Sequence, residues 1–212
     1  LPPEPSYQEQ VDRIRATPSD VEHIVAHYDG QIFAVDEALE SVFRVLEETG
    51  LEQQTIVVFT SDHGLEMAEK DKLCTGYHGT VWETINWVPL VVWHPDLDPG
   101  SIEEVVELVD LAPTLLGFAG LPVPDRYQGR SLKPLLERRG DLTSPEHVVF
   151  SASTVVSPEN AIRLHSVQGS RWKLIYDVAE GTSALYDLAS DPGEESDVSA
   201  QHPDIALRMV RQ

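Results

Sequence analysis

Ten apolar residues at helical spacing (Val21, Ile24, Val25, Tyr28, Ile32, Val35, Leu39, Val42, Phe43 and Leu46) run almost directly into the unbroken β-branched stretch "QQTIVVFTSD". This succession constrains the fold more than any other feature. The first pattern is that of one long amphipathic helix. Ser19 with Glu22 three residues on has the form of a capping box at its start, and Gly50 marks its end. The second pattern lacks polar alternation and predicts a strand buried on both faces, as in parallel sheets. A polar loop separates it from another apolar run, "VPLVVW". Helix, strand, loop, strand is an α/β rhythm.

Local signals conflict beyond Ser101. "SIEEVVELVD" has helical character, but Pro113 in "VDLAPTLLGFAG" would break one continuous helix. The arrangement predicted is an extended piece through Val109, then a new helix capped by Asp110, with Pro113 in its first turn and Gly120 at its close. After "ERRGDLTSPE" come the short runs "HVVFSAS", "AIRLHSV", "RWKLIYD" and "SALYDL", set apart by Gly, Ser, Asn and Asp. They predict a small antiparallel sheet, followed by a helix from about Pro203. Two parts are expected: residues 1–142 in the α/β portion and 143–212 in a small antiparallel α+β subdomain.

Composition removes several function classes. Thirty-six Asp and Glu oppose fifteen Lys and Arg, a net charge of -21, which repels phosphate backbones and argues against a nucleic-acid partner. Only four of the basic residues are Lys. Adaptation to high salt and an ordinary acidic surface both account for that balance. No apolar run is long enough to span a bilayer. The single cysteine, Cys74, excludes an internal disulfide and any multi-cysteine zinc site, and nothing beside it in sequence would activate it.

The strand "TIVVFT" delivers Asp62 and His63 to its carboxyl end, where open α/β sheets bind ligands. A carboxylate and a neutral imidazole suit a divalent cation. A strand-end turn in which Asp62 caps the next segment would use the same residues, and His78 in "GYHGT" would by itself pass for a hydrogen-bonded loop histidine.

The order of segments adds to this. From "YDGQIFAVDEALESVFRVLEETGLEQQTIVVFTSDHG" through "YHGTVWETINWVPLVVWHP" and "LVDLAPTLLGFAGLPVPDRYQGRSLKPLL" to "RWKLIY" and "ALYDLASDPGEESDVS", the chain resembles the sulfatase family of the alkaline-phosphatase superfamily. The resemblance implies a partial mixed, mostly parallel sheet flanked by helices, with a small C-terminal antiparallel sheet plus helix. It implies a hydrolase of sulfate monoesters, a small-molecule substrate and a metal site. Asp62 and His63 fall on the family's metal pair, for calcium in the first place, with magnesium or manganese as alternatives. Many members have a Lys five residues before the Glu that precedes the "VPL" strand. Glu83 is that Glu, and the position holds His78, which would bind the ester or protonate the leaving group. The replacement keeps a phosphodiester or phosphonate hydrolase, or a phosphoryl transferase, in view, and a non-catalytic binding module is the reading from another class. The family's formylglycine nucleophile and further acidic ligands would lie upstream of Leu1. The chain by itself is therefore expected to be inactive, and to associate with itself or with that upstream segment. "DLAPTLL" and "LYDLASDPGE" have structural duties: Asp110 as a helix cap, Tyr186 and Leu188 in packing the terminal sheet.

Overall fold

The computed structural model describes residues 17–71, 80–138, 147–153 and 164–212. The chain forms two compact units, one from Leu1–Tyr77 and Trp87–Pro95, the other from His78–Asn86 and Asp96–Gln212.

In the first unit, helix α1 spans Pro18–Thr49. Its cap is Thr17, not Ser19: the Thr17 hydroxyl accepts from the Asp20 N–H at 3.3 Å, and Asp20 Oδ2 accepts from the Thr17 N–H at 2.8 Å. Pro18 sets this register, since a proline has its fixed φ and missing donor best accommodated at the first helical position. Gly50 ends the helix as expected, at φ 68°, a left-handed conformation that glycine adopts without penalty. Leu51 N–H then reaches back to the Leu46 carbonyl at 2.9 Å, closing a Schellman-type turn. No residue of α1 is fully buried; Ile32, Phe33 and Val45 are each more than half exposed.

Strands β1 (Val57–Thr60) and β2 (Leu90–Trp93) pair from Val57↔Trp93 to Thr60↔Leu90. The ladder is antiparallel, so the parallel pairing suggested by the apolar run is not found among the described residues. A parallel neighbour needs a crossover connection, usually a helix. Between these strands the described helical pieces are single turns, Glu69–Asp71 and Glu83–Asn86. A two-stranded ladder also cannot enclose both its faces: β1 is only half-buried throughout. The Phe43 ring of α1 meets Trp93 of β2 edge-on, 6.0 Å between centroids.

The second unit begins with the single turn α2 (Glu83–Asn86). Residues 101–107 form neither helix nor strand, and the extended piece expected through Val109 gives way to a 3₁₀ turn at Leu108–Asp110, which leads into α3 (Leu111–Phe118), with Pro113 in its first turn. Asp110 does not cap α3. Its buried carboxylate accepts from the Glu107 N–H at 3.1 Å and from the Arg130 N–H at 2.8 Å. Thr114 completes a clamp: its hydroxyl donates to the Asp110 carbonyl at 2.6 Å and accepts from the Leu132 N–H at 2.8 Å. Gly129 permits this, because a Cβ there would run into the Val109 backbone. The clamped segment continues into α4 (Lys133–Leu136).

The C-terminal sheet runs β3 (Val149–Ala152), β4 (Leu164–Gln168), β5 (Trp172–Asp177) and β6 (Thr182–Asp187), a wholly antiparallel meander followed by α5 (Pro203–Val210). Its strands coincide with the four runs read from the sequence to within one residue, β4 ending one past its run at Gln168 and β6 starting one before its run at Thr182. Successive side chains on β5 face opposite ways, and both faces are covered. Leu174 packs with Leu185 and with Met209 of α5, while Ile175 packs with Tyr186 and Val81. The fold class is thus the one expected, α/β with a small antiparallel sheet and helix at the C-terminus.

Candidate functional site

Strand β1 ends at Thr60, and the chain turns at once through Ser61, Asp62 and His63. Three local bonds hold the turn. The Ser61 hydroxyl donates to the His63 carbonyl at 2.8 Å, the His63 N–H donates to Asp62 Oδ1 at 3.0 Å, and His63 Nδ1 lies 2.8 Å from the Gly64 carbonyl. A carbonyl can only accept, so Nδ1 carries a proton, and in the neutral ring the lone pair is then on Nε2. That is the tautomer in which imidazole coordinates through Nε2, with the ring oriented by its other nitrogen.

Asp62 Oδ2 lies 3.9 Å from His63 Nε2. The Asp62 side chain is 88% exposed and that of His63 39%, so the pair faces outward from the strand end. Glu66, farther along the loop, is fully buried. Ala68 and Lys70 hold left-handed backbone at φ 81° and 54°, each costing about 1–2 kcal/mol for a residue with a Cβ. The Glu69 carboxylate accepts from the Met67 N–H within the same bend. Among the described residues, no group of three or more His, Cys, Asp or Glu side chains converges as a metal cage. Asp62 and His63 are therefore two donors, brought together by being neighbours in sequence. His78, given the catalytic and ester-binding roles from sequence, lies outside the described residues, as does Cys74.

In the second unit, sequence reasoning used Glu83 only as a landmark and passed over its partners. Lys173 has no solvent exposure, and its Nζ lies 2.8 Å from Glu83 Oε1 and 2.8 Å from Glu194 Oε1. Glu194 also accepts from the Glu83 N–H at 2.7 Å, and Gln168 Nε2 donates to Glu83 Oε2 at 3.3 Å. An ammonium shared by two carboxylates pins the first residue of α2 to β5 and to the loop after β6. One signal was available: a Lys inside the apolar run "WKLIY" must find anionic partners if the strand is central. Nearby, burial first and then the carboxylates of Asp197, Glu194 and Asp191 push the Tyr186 phenol up to about 12.

Comparison with known proteins bears on this arrangement directly. A family model described as Sulfatase matches residues 2–121, and one described as N-sulphoglucosamine sulphohydrolase, C-terminal, matches residues 78–210. Arylsulfatase K of Xenopus laevis is 34% identical over 201 residues, covering 91% of this chain and 37% of that protein. The chain thus spans a little over a third of the length of that relative. Among solved structures, a candidate sulfatase from Bacteroides thetaiotaomicron superposes with a TM-score of 0.83 at 25% identity, over 94% of this chain and 43% of that one. The phosphonate monoester hydrolase of Agrobacterium radiobacter superposes at 0.78 with 27% identity, over 92% and 41%. With one family model matching more than half of its length, this chain belongs to the sulfatase family.

Proposed function

We propose that this chain is part of a divalent-metal-dependent hydrolase of sulfate monoesters, in which Asp62 and His63 hold the cation. The observation that carries the reading is the pair itself, at the carboxyl end of β1, with Oδ2 and Nε2 3.9 Å apart and Nδ1 on the Gly64 carbonyl. The donor set, one carboxylate and one imidazole, fits a hard or borderline dication. A bound cation would offset the charge that develops on the non-bridging oxygens of the ester. Asp62 contributes negative charge to that site, and the Gly64 bond orients the His63 ring. His78 is assigned to binding the ester or passing a proton to the leaving oxygen, work suited to an imidazole. Two side chains supply too few of the six to eight oxygens that calcium takes. The remaining ligands and a formylglycine nucleophile are assigned to the preceding part of a sulfatase domain, and the chain alone should not turn over substrate.

Calorimetric titration with calcium tests this, on the chain alone and with the preceding part of a sulfatase domain supplied in trans. Binding should strengthen at least tenfold in the combined sample, where p-nitrophenyl sulfate hydrolysis should appear. Asp62→Asn and His63→Ala should each abolish both gains. Equal calcium binding in wild type and both variants would refute the assignment. Binding that is restored without any hydrolysis would instead indicate a binding module that does no chemistry.

A second reading keeps the scaffold and changes the ester. The likeness to a phosphonate monoester hydrolase at 27% identity, and His78 where many sulfatases carry Lys, favour phosphonate or phosphodiester substrates. Phenyl phosphonate esters cleaved faster than p-nitrophenyl sulfate in the same combined sample would establish it.

A further inference from the structure

His23 and His27 stand one turn apart on the exposed flank of α1, away in sequence from the strand-end pair. Their Nε2 atoms are 3.2 Å apart, and the rings meet nearly at right angles, 86°, with centroids 4.6 Å apart. Two imidazole nitrogens bound to one metal at about 2.0–2.1 Å lie about 2.9 Å apart at a right angle and about 3.4 Å apart at the tetrahedral angle. The observed separation falls between those limits, and the helix backbone holds the two side chains on one face without further help.

From this geometry we propose that His23 and His27 form a bidentate surface site for a borderline transition-metal cation of the zinc, nickel and copper class. Two imidazole nitrogens, joined by no carboxylate among the described residues, select that class over calcium or magnesium, which take oxygen ligands. Asp20 lies one turn before His23 and interacts with it electrostatically. Its Oδ2 is already occupied by the Thr17 N–H at 2.8 Å and the Thr17 hydroxyl at 2.7 Å, so Asp20 adds negative potential and not a ligand. Because no third His, Cys, Asp or Glu joins the pair among the described residues, water completes the coordination shell. A cation held across one turn ties the first part of α1 together, and by linkage its binding raises the stability of the folded chain. The competing account of the same contact is a single Nε2–H···Nε2 hydrogen bond, which binds no metal.

Chelator-treated full-length chain, titrated calorimetrically with zinc chloride and with nickel chloride, decides between them. The proposal expects one site per chain, weakened at least tenfold by His23→Ala and equally by His27→Ala. It should be unaffected by Asp62→Asn and not displaced by millimolar calcium. Zinc should raise the melting temperature of the wild type and fail to do so in either histidine variant. Both substitutions are at exposed positions, and circular dichroism will report whether α1 persists. Zinc and nickel affinities unchanged in both variants, or no binding by the wild type, would overturn the site.

Discussion

At the scale of the residue, Lys173 is the position on which most depends. An ammonium with no solvent exposure is tolerated only because Glu83 and Glu194 each place a carboxylate oxygen 2.8 Å from it. Lys173→Met would leave the Glu83 and Glu194 carboxylates facing each other without the ammonium between them, and should cost about 3–5 kcal/mol of folding stability. Glu194→Gln leaves Lys173 with Glu83 and should cost clearly less. Urea denaturation of both variants measures the difference, and an equal or smaller loss for Lys173→Met would refute the shared-ammonium account. Asp62 and His63 present the opposite case. Their place at the end of a strand was legible from the run "TIVVFT" alone, because a strand's end and the turn after it are set by residues a few positions apart. Lys173 was not legible in the same way: Glu83 is remote along the chain and Glu194 follows another strand.

At the scale of the element, the β5–β6 hairpin is fastened at its open end by Arg171 and Asp187. Arg171 Nε and Nη2 donate to the two Asp187 oxygens at 2.8 and 2.7 Å, a bidentate pairing. The Arg171 guanidinium holds the Asp187 carboxyl down at about 2, below its ordinary value of 3.8. A lowered folded-state value means that the pairing stabilises the fold fully above about pH 4 and loses that contribution as pH falls through 2. Arg171→Gln should return the carboxyl towards 3.8, seen as a shifted midpoint in a carboxyl-carbon NMR titration. An unmoved midpoint would mean that Arg171 is not the cause. The start of α1 shows how a sequence signal can be right in kind and wrong in register. Ser19 and Glu22 satisfy the capping pattern, but so do Thr17 and Asp20, and Pro18 decides for the earlier pair. Asp110 was read as a cap from its place before a helix; its carboxylate turned instead to Arg130, twenty residues on.

At the scale of the whole molecule, the two units bury their apolar residues unequally. The C-terminal sheet has both faces covered, by α5 on one side and by Val81 and Trp82 on the other. Helix α1 leaves Phe33 at 64% exposure and Ile32 and Val45 above half, and among the described residues β1 with β2 forms only a two-stranded ladder. Exposed apolar positions beside unpaired strand edges favour association. Sedimentation equilibrium should therefore show mass rising with concentration, suppressed when the preceding part of a sulfatase domain is supplied in trans. A compact monomer at all concentrations would show that the exposed positions on α1 do not drive assembly. No helix among the described residues is long and apolar enough to cross a membrane.

What the amino-acid order determined by itself is local: a long helix with its glycine stop, the apolar strands, the break before Pro113, the four C-terminal strands, and a carboxylate beside an imidazole where β1 ends. Each depends on residues within a turn or a strand's length of one another, so periodicity and punctuation suffice. Only the tertiary structure decided that β1 and β2 run antiparallel, that Asp110 serves a distant loop, and that one lysine neutralises two glutamates. These outcomes depend on which segments meet when the chain closes on itself. A buried charge or backbone donor is satisfied by whatever partner arrives there, and sequence distance places no limit on where that partner comes from.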